Sequence, residues 1–508
     1  MNKKQRKLYH YLSISFLILI FLIPLAHISF AESEQTNEQR IQQIDQFIKE
    51  QQELSQIPGI SVVIVEKGKT VYQKGFGYAD LKTKKPVNED TLFELASTSK
   101  AFTGLAILQL EKEGLLKQAD DITKFLPWLQ LTYNDKPVKI NLNHLLYHTS
   151  GIPSTTISSI PISSANDALE TTIKTLKQTK LNHKPGSSFE YATINYDILG
   201  LVIEKVTKKP YEVYIKQNIL DQIGMKNSLV GYLQGHPNEM ATGYKLRFMR
   251  PYPYEQPIYR GNTPAGYIIS NTNDLAKWMN LQLGIEINNS IHTQLISDSH
   301  IPDKTVQPIK NNDYYASGWI VRQEDTKSIL HSGENPNFSS FIIMQPNKQT
   351  GVAVLSNMKS AVTTSIGQGV IDLWNGKNIS VTKQIDSFQK IDKVATIIFI
   401  VTACLSILFI ILTIRLIRRL LQKRRNWTLL NKKKFILFLI NICVVAGGLL
   451  FFLKLPKILL GAPWSLITVW APVTVTLTMY SFITVIILYS IYITLMFFTK
   501  KEMNRFIS

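Results

Sequence analysis

Three long runs without a charged side chain occupy the last quarter of the chain. Residues 394–414 and 435–453 are each close to the ~20 residues that a helix needs to cross the hydrocarbon core of a bilayer. Residues 458–499 are long enough for one crossing and an interfacial segment, or for two crossings. We predict three membrane-spanning helices, at 394–414, 435–453 and about 474–498, with four crossings as the alternative.

The basic residues are concentrated at the ends of these runs, and this arrangement gives the chain an orientation. The formal net charge is +19, and residues 415–434 hold nine lysines and arginines and no acidic residue. Because lysine and arginine accumulate on the cytoplasmic side of membrane helices, residues 415–434 are predicted to lie inside and the preceding domain outside. The same clustering accounts for much of the positive charge, so we predict no nucleic-acid partner.

The N-terminus has the pattern of an export signal. Basic residues precede the apolar run 12–25, and the small residues Ser29 and Ala31 fit the positions before a cleavage site. We predict a signal peptide at 1–31, with an uncleaved anchor as the alternative. The rest of the chain divides into an extracytoplasmic domain at 32–380, a linker at 381–393 and a membrane domain at 394–508.

The sequence offers little to a metal ion or a cofactor. Cys404 and Cys443 are the two cysteines, and both lie in apolar runs, so the extracytoplasmic domain has neither a disulfide nor a cysteine metal site. His144 and His148 have the i, i+4 spacing of a helical metal pair, but no HExxH pattern and no clear third ligand accompany them. We predict no metal and no cofactor.

β-forming segments lie at both ends of the extracytoplasmic domain, with helical patterns between them. This order favours one antiparallel sheet flanked by helices. We predict an α/β (α+β) fold with an antiparallel sheet, flanking helices and a helical region, followed by a C-terminal transmembrane helical domain. The predicted strands are 60–65, 70–75, 317–322, 328–331, 338–345 and 351–356. The predicted helices are 141–147, 165–177, 196–206, 273–283 and 364–374.

Ser97 and Lys100 form the motif with the clearest chemical meaning. A helical pattern begins at Ala101, and a spacing of three places the two side chains one turn apart on one helix face. A lysine that has lost part of its water shell can act as the base for a serine nucleophile. The alternative is an ordinary helix start, because the same S-x-x-K spacing recurs elsewhere, for example at Ser387 and Lys390.

Two downstream stretches contain candidate partners for the serine. Tyr191 lies between a turn signal and a helical pattern, where its phenol can relay a proton beside a lysine. His331 ends a predicted strand and is a candidate donor, and Gly333 leaves room for a substrate backbone to approach. Each residue alone also fits a structural role, Tyr191 as a packed helix cap and His331 as a strand-end residue.

A resemblance to a known family is carried by three motifs in chain order: Ser97-x-x-Lys100, Tyr191 in the setting Pro-Gly-x-x-Phe-x-Tyr, and His331-x-Gly333. Together they resemble the serine β-lactamase and penicillin-binding protein superfamily in its class C-like branch. The resemblance covers about residues 57–375. It implies a β-lactamase/transpeptidase-like fold and a serine hydrolase that forms an acyl-enzyme.

The resemblance also implies a role for each residue. Ser97 attacks a carbonyl, Lys100 deprotonates it, and Tyr191 passes a proton to the leaving amine. Which of Lys100 and Tyr191 is the base stays open. His331 lies on the strand beside the site as a further catalytic residue. The backbone N–H groups of Ser97 and Glu334 form the oxyanion hole.

One position departs from the family pattern. The residue two after the tyrosine is Thr193, where the family commonly has asparagine. With Glu94 and three C-terminal spans, the chain is most similar to membrane-anchored D-peptidases that remove an N-acyl-D-asparagine cap from antibiotic or toxin prodrugs. This resemblance implies that Glu94, Thr193 and Asn335 line a polar pocket for a D-amino-acid side chain, with Gly333 also at the substrate. The alternative for Glu94 is a carboxylate favoured by the start of a helix.

The function implied is a multi-pass enzyme of the cytoplasmic membrane with its catalytic domain outside. Its substrate is small and peptide-like, an N-acyl-D-amino-acid amide such as a D-asparaginyl amide, and its other partner is the lipid bilayer. The alternatives are a cell-wall D-alanyl carboxypeptidase or esterase, a β-lactamase-like hydrolase, and a non-catalytic penicillin-recognising sensor. The short loop at 415–434 has no room for a signalling domain, which disfavours the sensor.

Overall fold

The computed structural model describes Asn2 and residues 37–232, 237–285, 291, 293–324, 326–379 and 386–502. Apart from Asn2, the predicted signal peptide at 1–31 lies outside these residues, as do residues 380–385 around the start of the predicted linker. The chain divides into two compact units, Met1–Gln43 and Ile44–Ser508, and the features discussed below belong to the second.

Helices are spread over the whole described chain. The α-helices are α1 (Asn37–Ser55), α2 (Lys100–Lys112), α3 (Leu142–Leu146), α4 (Ala168–Lys174), α5 (Ile194–Thr207), α6 (Tyr211–Ile215), α7 (Asp221–Ile223), α8 (Thr263–Gly266), α9 (Thr272–Gln282), α10 (Thr293–Ser299), α11 (Val362–Trp374), α12 (Ser387–Leu421), α13 (Lys432–Leu460), α14 (Trp464–Trp470) and α15 (Val473–Phe497).

The strands of the largest sheet lie before α2 and after α10, and shorter strands lie between these two helices and in the membrane region. They are β1 (Gly59–Glu66), β2 (Lys69–Asp80), β3 (Lys85–Pro86), β4 (Phe93–Glu94), β5 (Thr132–Tyr133), β6 (Lys136–Pro137), β7 (Leu229–Val230), β8 (Tyr244–Arg247), β9 (Arg250–Pro253), β10 (Ile268–Ser270), β11 (Asp313–Tyr315), β12 (Ile320–Arg322), β13 (Ser328–Glu334), β14 (Ser339–Gln345), β15 (Thr350–Ser356), β16 (Arg425–Trp427) and β17 (Thr499–Lys501).

An eight-stranded antiparallel sheet forms the centre of the domain that precedes residue 380, in the order β11-β12-β13-β14-β15-β1-β2-β3. Its two halves join where β1 pairs with β15, with Ile60 opposite Ser356 and Glu66 opposite Thr350. Nearly every residue of β1 and all of β15 is buried, because both strands lie inside the sheet and helices such as α9 and α11 pack against it. The predicted fold class is confirmed.

Helix α2 runs through the interior and fixes the position of its own first residue. Residues 100–108 of this helix are all buried. Phe102 stacks on Trp278 of α9, with ring centres 3.9 Å apart. At Gly104 a Cβ would lie 2.6 Å from the Ser317 carbonyl oxygen, so only glycine permits the close contact found there. The N-terminus of α2, with Lys100, is therefore held rigidly beside the sheet.

Three helices are long and apolar enough to cross a membrane: Ser387–Leu421, Lys432–Leu459 and Val473–Phe497. Many of their apolar side chains face outward. Ile407 is 58% exposed and Leu450 is 60% exposed, an arrangement that suits lipid and not water. The short helix α14 lies where the sequence predicts an interfacial segment and is too short to cross.

A small strand pair joins the loop after α12 to the segment after α15. β16 follows α12, β17 follows α15, and Arg425 lies opposite Lys501. The end of the described chain therefore lies at the basic loop between α12 and α13. An odd number of crossings satisfies this pairing, as in the three-span prediction, whereas four crossings would separate the two strands.

Candidate active site

Ser97 lies in a short 3₁₀ turn between a strand and a buried helix. Strand β4 leads into this turn, which comprises Ala96–Ser99, and α2 begins at Lys100. Ala96 has φ +48°, a conformation that costs a non-glycine residue roughly 1–3 kcal/mol. Ala96 is buried, whereas half-exposed Ser97 lines a cleft of about 410 Å³. Ser97 therefore belongs to the turn and Lys100 to the helix that follows it.

The Lys100 side chain is buried at the centre of the site. Its Nζ donates to Ser97 Oγ over 3.1 Å, to Thr193 Oγ1 over 3.2 Å and to the Ala265 carbonyl over 2.8 Å. All three acceptors are uncharged oxygens. This arrangement holds the amine beside the serine hydroxyl at a distance suited to proton transfer.

Tyr191 lies in the loop before α5 and lines the same cleft as Ser97. Lys100 Nζ is 5.1 Å from the centre of the tyrosine ring. The ring also packs on His148, with centres 4.3 Å apart, and edge-on against Tyr315 at 6.1 Å. The structure therefore brings the predicted hydroxyl, amine and phenol-bearing residues together from distant parts of the chain.

Gly333 allows strand β13 to run against the serine turn. A Cβ at this position would lie 2.3 Å from the Leu95 carbonyl oxygen and 3.0 Å from the Ser97 amide nitrogen. The close contact between β13 and the serine turn explains why residue 333 is glycine. A contact between Gly333 and a substrate stays a prediction. The close approach places Glu334, the last residue of β13, at the same cleft as Ser97. Their two backbone amides remain the candidates for the oxyanion hole.

Both ring nitrogens of His331 are engaged within the protein. Nε2 lies 3.0 Å from the Tyr315 hydroxyl, and Nδ1 lies 2.6 Å from the Ser332 carbonyl oxygen. Burial, with the charge of Lys100, lowers the pKa of His331 to about 3. The ring is therefore neutral at pH 7, with Nδ1 donating to the carbonyl and Nε2 accepting from the tyrosine. This geometry gives His331 a role in holding Tyr315, while a direct catalytic role stays a prediction.

Asn335 connects the cleft to the buried carboxylate of Glu94. Asn335 Nδ2 donates to Glu94 Oε2 and, over 3.0 Å, to the Gly266 carbonyl. Both amide hydrogens are thus used, which leaves Oδ1 as the group that Asn335 can offer to a ligand. Tyr232 and Gln256 donate to the other oxygen of Glu94, which lines a separate cavity of about 650 Å³. Glu94 therefore lies behind Asn335 and acts on the cleft through it.

The buried Glu94 carboxylate predicts a loss of activity at mildly acidic pH. Burial raises its pKa from 4.5 to about 6, and hydrogen bonds from Tyr232, Asn335 and Gln256 oppose the shift. The folded protein binds this proton more tightly than the unfolded chain, so protonation of Glu94 between pH 4.5 and 6 stabilises the folded state. A loss of activity in this range is therefore not caused by unfolding due to Glu94. A protonated Glu94, however, loses acceptor capacity for Asn335.

We expect kcat/KM of the wild type to fall about tenfold as the pH drops through 6. In Glu94→Gln, kcat/KM should be lower than in the wild type at neutral pH and should not fall further at acidic pH. Kinetics between pH 5 and 8, with thermal unfolding measured in the same buffers, test this. An acid limb that persists unchanged in Glu94→Gln would assign it to another group.

Several residues near Lys100 were not singled out in the sequence. Asp197 is buried, accepts from Asn262 Nδ2 over 2.7 Å, and has its pKa raised by burial to about 8. Asn195 Nδ2 lies 2.9 Å from Nδ1 of the buried His148. The sequence feature that could have indicated them is the pair of polar residues Asn195 and Asp197 within a mostly apolar helical segment.

The two histidines at i, i+4 do not form a helical pair. Helix α3 ends at Leu146, and His148 beyond it has φ +55°. His144 Nδ1 accepts from the Asn141 amide as part of the helix cap. The spacing therefore reflects a capped short helix followed by a turn, and the two histidines do not share a helix face.

A central antiparallel sheet with helices packed around it, and a serine and a lysine at a turn that packs against one of its strands, is the arrangement of β-lactamase-like hydrolases. The chain belongs to the beta-lactamase family, since the family model described as Beta-lactamase matches residues 44–365. The superfamily predicted from the motifs is confirmed, and the protein is a β-lactamase-family hydrolase.

Three similar proteins extend this assignment. Protein flp of Staphylococcus aureus (strain N315) is 32% identical over 473 residues, which cover 91% of this chain and 92% of flp. An N-acetylmuramyl-L-alanine amidase of Bacillus subtilis (strain 168) is 25% identical over 378 residues, covering 65% of this chain and 83% of the amidase. The octameric penicillin-binding protein homologue from Pyrococcus abyssi superposes with a TM-score of 0.60 at 29% identity, over 66% of this chain and 78% of that one. At 91% coverage, the similarity to flp includes much of the membrane region.

Proposed function

We propose that this protein is a membrane-anchored serine peptidase or amidohydrolase that acts outside the cytoplasmic membrane, through an acyl-enzyme, on N-acyl-D-amino-acid amides. The observation that carries this proposal is the 3.1 Å hydrogen bond between Lys100 Nζ and Ser97 Oγ at an open cleft. Three apolar helices support the anchoring, and the basic loop at 415–434 supports a cytoplasmic position for that loop.

In acylation, Lys100, once it has given up one of its three Nζ protons, takes the hydroxyl proton of Ser97 as Oγ attacks the scissile carbonyl carbon. Negative charge develops on the carbonyl oxygen, where the backbone N–H groups of Ser97 and Glu334 stabilise it. The proton passes by way of Tyr191 to the leaving amine, the C–N bond breaks, and the acyl group remains as an ester on Ser97. Water then takes the place of the amine, and the same groups transfer its proton and restore the hydroxyl.

The polar side chains of the cleft suit both the NH₂ group and the carbonyl group of a primary amide. Asn335 offers Oδ1 as an acceptor for the NH₂ group, and Glu94 behind it contributes negative charge. Thr193 Oγ1 accepts from Lys100, so its own O–H is left to donate to the amide carbonyl. A D-asparaginyl side chain satisfies both groups, whereas a D-aspartyl side chain of the same shape brings a carboxylate towards Glu94.

Four N-acyl amides that differ in one residue, D-Asn, D-Asp, D-Ala and L-Asn, test the side-chain preference on the full-length protein. We expect kcat/KM for the D-Asn amide to exceed the others by about 100-fold or more, because a site built to pair an amide rejects analogues that leave its groups unpaired. Asn335→Leu should remove most of this advantage while D-Ala amide hydrolysis continues. Equal rates for D-Asn and D-Ala would refute the amide pocket and leave the serine hydrolase intact.

Cell-wall chemistry is the second candidate. One similar protein is named an N-acetylmuramyl-L-alanine amidase and another is a penicillin-binding protein homologue. On this alternative, an acyl-D-Ala-D-Ala peptide or a muramoyl peptide would be hydrolysed faster than the D-Asn amide. Adding both compounds to the same series distinguishes the two functions.

A further inference from the structure

One wall of the cleft that contains Ser97 comes from the membrane region. Trp470, the last residue of α14, lines this cleft together with Ser97, Tyr191 and Asn335. Helix α14 lies between the two apolar helices α13 and α15, so this wall belongs to the part of the chain beside the bilayer. Trp470 has no part in the proposed acyl transfer.

Trp470 is held in place by a lysine of the catalytic domain. Lys359 Nζ lies 4.6 Å from the centre of the indole ring and 4.3 Å from the centre of the Phe388 ring. The same Nζ is 3.4 Å from Glu334 Oε2. One cation therefore joins the membrane helix α14 to the end of strand β13, next to the proposed oxyanion hole.

A second lysine fixes the backbone of α14. Lys245 is buried, and its Nζ donates to the carbonyls of Thr468 over 3.2 Å and Val469 over 2.9 Å. Carbonyl groups at the end of a helix carry partial negative charge, which favours a cation there. Both the ring of Trp470 and the backbone just before it are thus positioned by the catalytic domain.

Trp470 also lines a second, mostly apolar recess of about 230 Å³ beside the cleft. The recess and the cleft share Ile157, Asn262 and Trp470. Ile162 and Leu466 are among its other lining residues, and Ile162 is 63% exposed. An exposed isoleucine at a recess that adjoins the site is apolar surface available to a ligand.

We propose that Trp470 is a substrate-positioning residue, and that it and the adjoining recess receive an apolar substituent of the substrate. The lining residues shared with the cleft, the apolar lining and the two lysines that fix α14 place this surface where a substrate bound at Ser97 extends towards the bilayer. The membrane region is then part of the substrate site as well as an anchor. The inference rests on the proposed acyl chemistry at Ser97 and is independent of the D-amino-acid preference.

Two fluorophosphonates that differ only in their alkyl chain, ethyl or octyl, test this on the full-length protein in one detergent. Each forms a bond between Ser97 Oγ and phosphorus, the P–F bond breaks, fluoride leaves, and the hydroxyl proton goes to Lys100. We expect the wild type to react faster with the octyl probe, and the ratio of octyl to ethyl rates to fall about tenfold in Trp470→Ala. Trp470→Phe should keep most of the ratio, and partition of the octyl chain into detergent affects all variants equally.

Trp464→Ala is the matched control, because Trp464 lies in the same helix but lines an apolar cavity between the membrane helices. It should keep the wild-type ratio. Ile157→Ala, at another lining residue of the recess, should reproduce the fall if Trp470→Ala does not fold. An unchanged ratio in the Trp470 and Ile157 variants overturns the inference. If neither probe labels the wild type, the proposed function fails and the inference with it, a result distinct from labelling without chain preference.

Discussion

Replacing Ser97 by alanine is expected to reduce hydrolysis by about 10⁴-fold or more and to abolish covalent labelling by a fluorophosphonate. The substitution removes one oxygen, and Lys100 keeps its bonds to Thr193 and to the Ala265 carbonyl. The turn and the lysine therefore stay in place, and only the residual catalysis from binding and from the oxyanion hole remains. Turnover of a chromogenic substrate and label incorporation into the full-length protein measure the two effects.

The chain contains a matched control at Ser387, which has the same S-x-x-K spacing to Lys390. Ser387 is exposed at the first turn of α12, after the capping residue Asp386. Ser387→Ala should keep wild-type activity and labelling. Labelling that survives in Ser97→Ala would assign the nucleophile to another residue.

The fold could be predicted where a pattern leaves few alternatives. The predicted strands at 60–65 and 351–356 lie within β1 and β15, because short, mostly apolar runs that contain several β-branched residues fit a strand buried on both faces. The strand predicted at 317–322 is shorter, Ile320–Arg322. Gly318 has φ +84°, and its close contact with α2 bends the chain before the strand begins. Such a contact depends on the tertiary structure and leaves no local signal.

The site could be predicted where a role is local and not where it depends on a distant partner. Ser97 and Lys100 needed only a spacing of three. Glu94 was predicted to contact substrate, but it lies behind Asn335, more than two hundred positions later in the chain. His331 was predicted as a donor at a strand end, yet Tyr315 occupies its Nε2. Trp470 was predicted only as part of an interfacial segment, since no local pattern indicates that it faces the cleft.

Replacing Lys100 by methionine is expected to lower kcat/KM by about 10³-fold or more, the second large effect. Methionine keeps an unbranched chain of similar length and removes the amine. The substitution has two opposing effects on the free energy of unfolding. Removing a buried cation stabilises the folded protein. The Thr193 hydroxyl and the Ala265 carbonyl lose their hydrogen-bond donor, which costs about 1–3 kcal/mol each. Thermal unfolding should therefore change far less than the rate. Steady-state kinetics and unfolding of the same preparation test both expectations.

The matched control for this variant is Lys390→Met, since Lys390 is exposed and has the same spacing to a serine. It should have wild-type kinetics. A Lys100→Met protein that folds and turns over normally would remove the lysine as the base and give that role to Tyr191, whose ring lies 5.1 Å from the amine. A folded protein with the expected loss shows that the reaction needs the Lys100 amine, either as the base or as the charge beside Tyr191. Normal turnover in this variant would therefore decide a choice that sequence and geometry leave open.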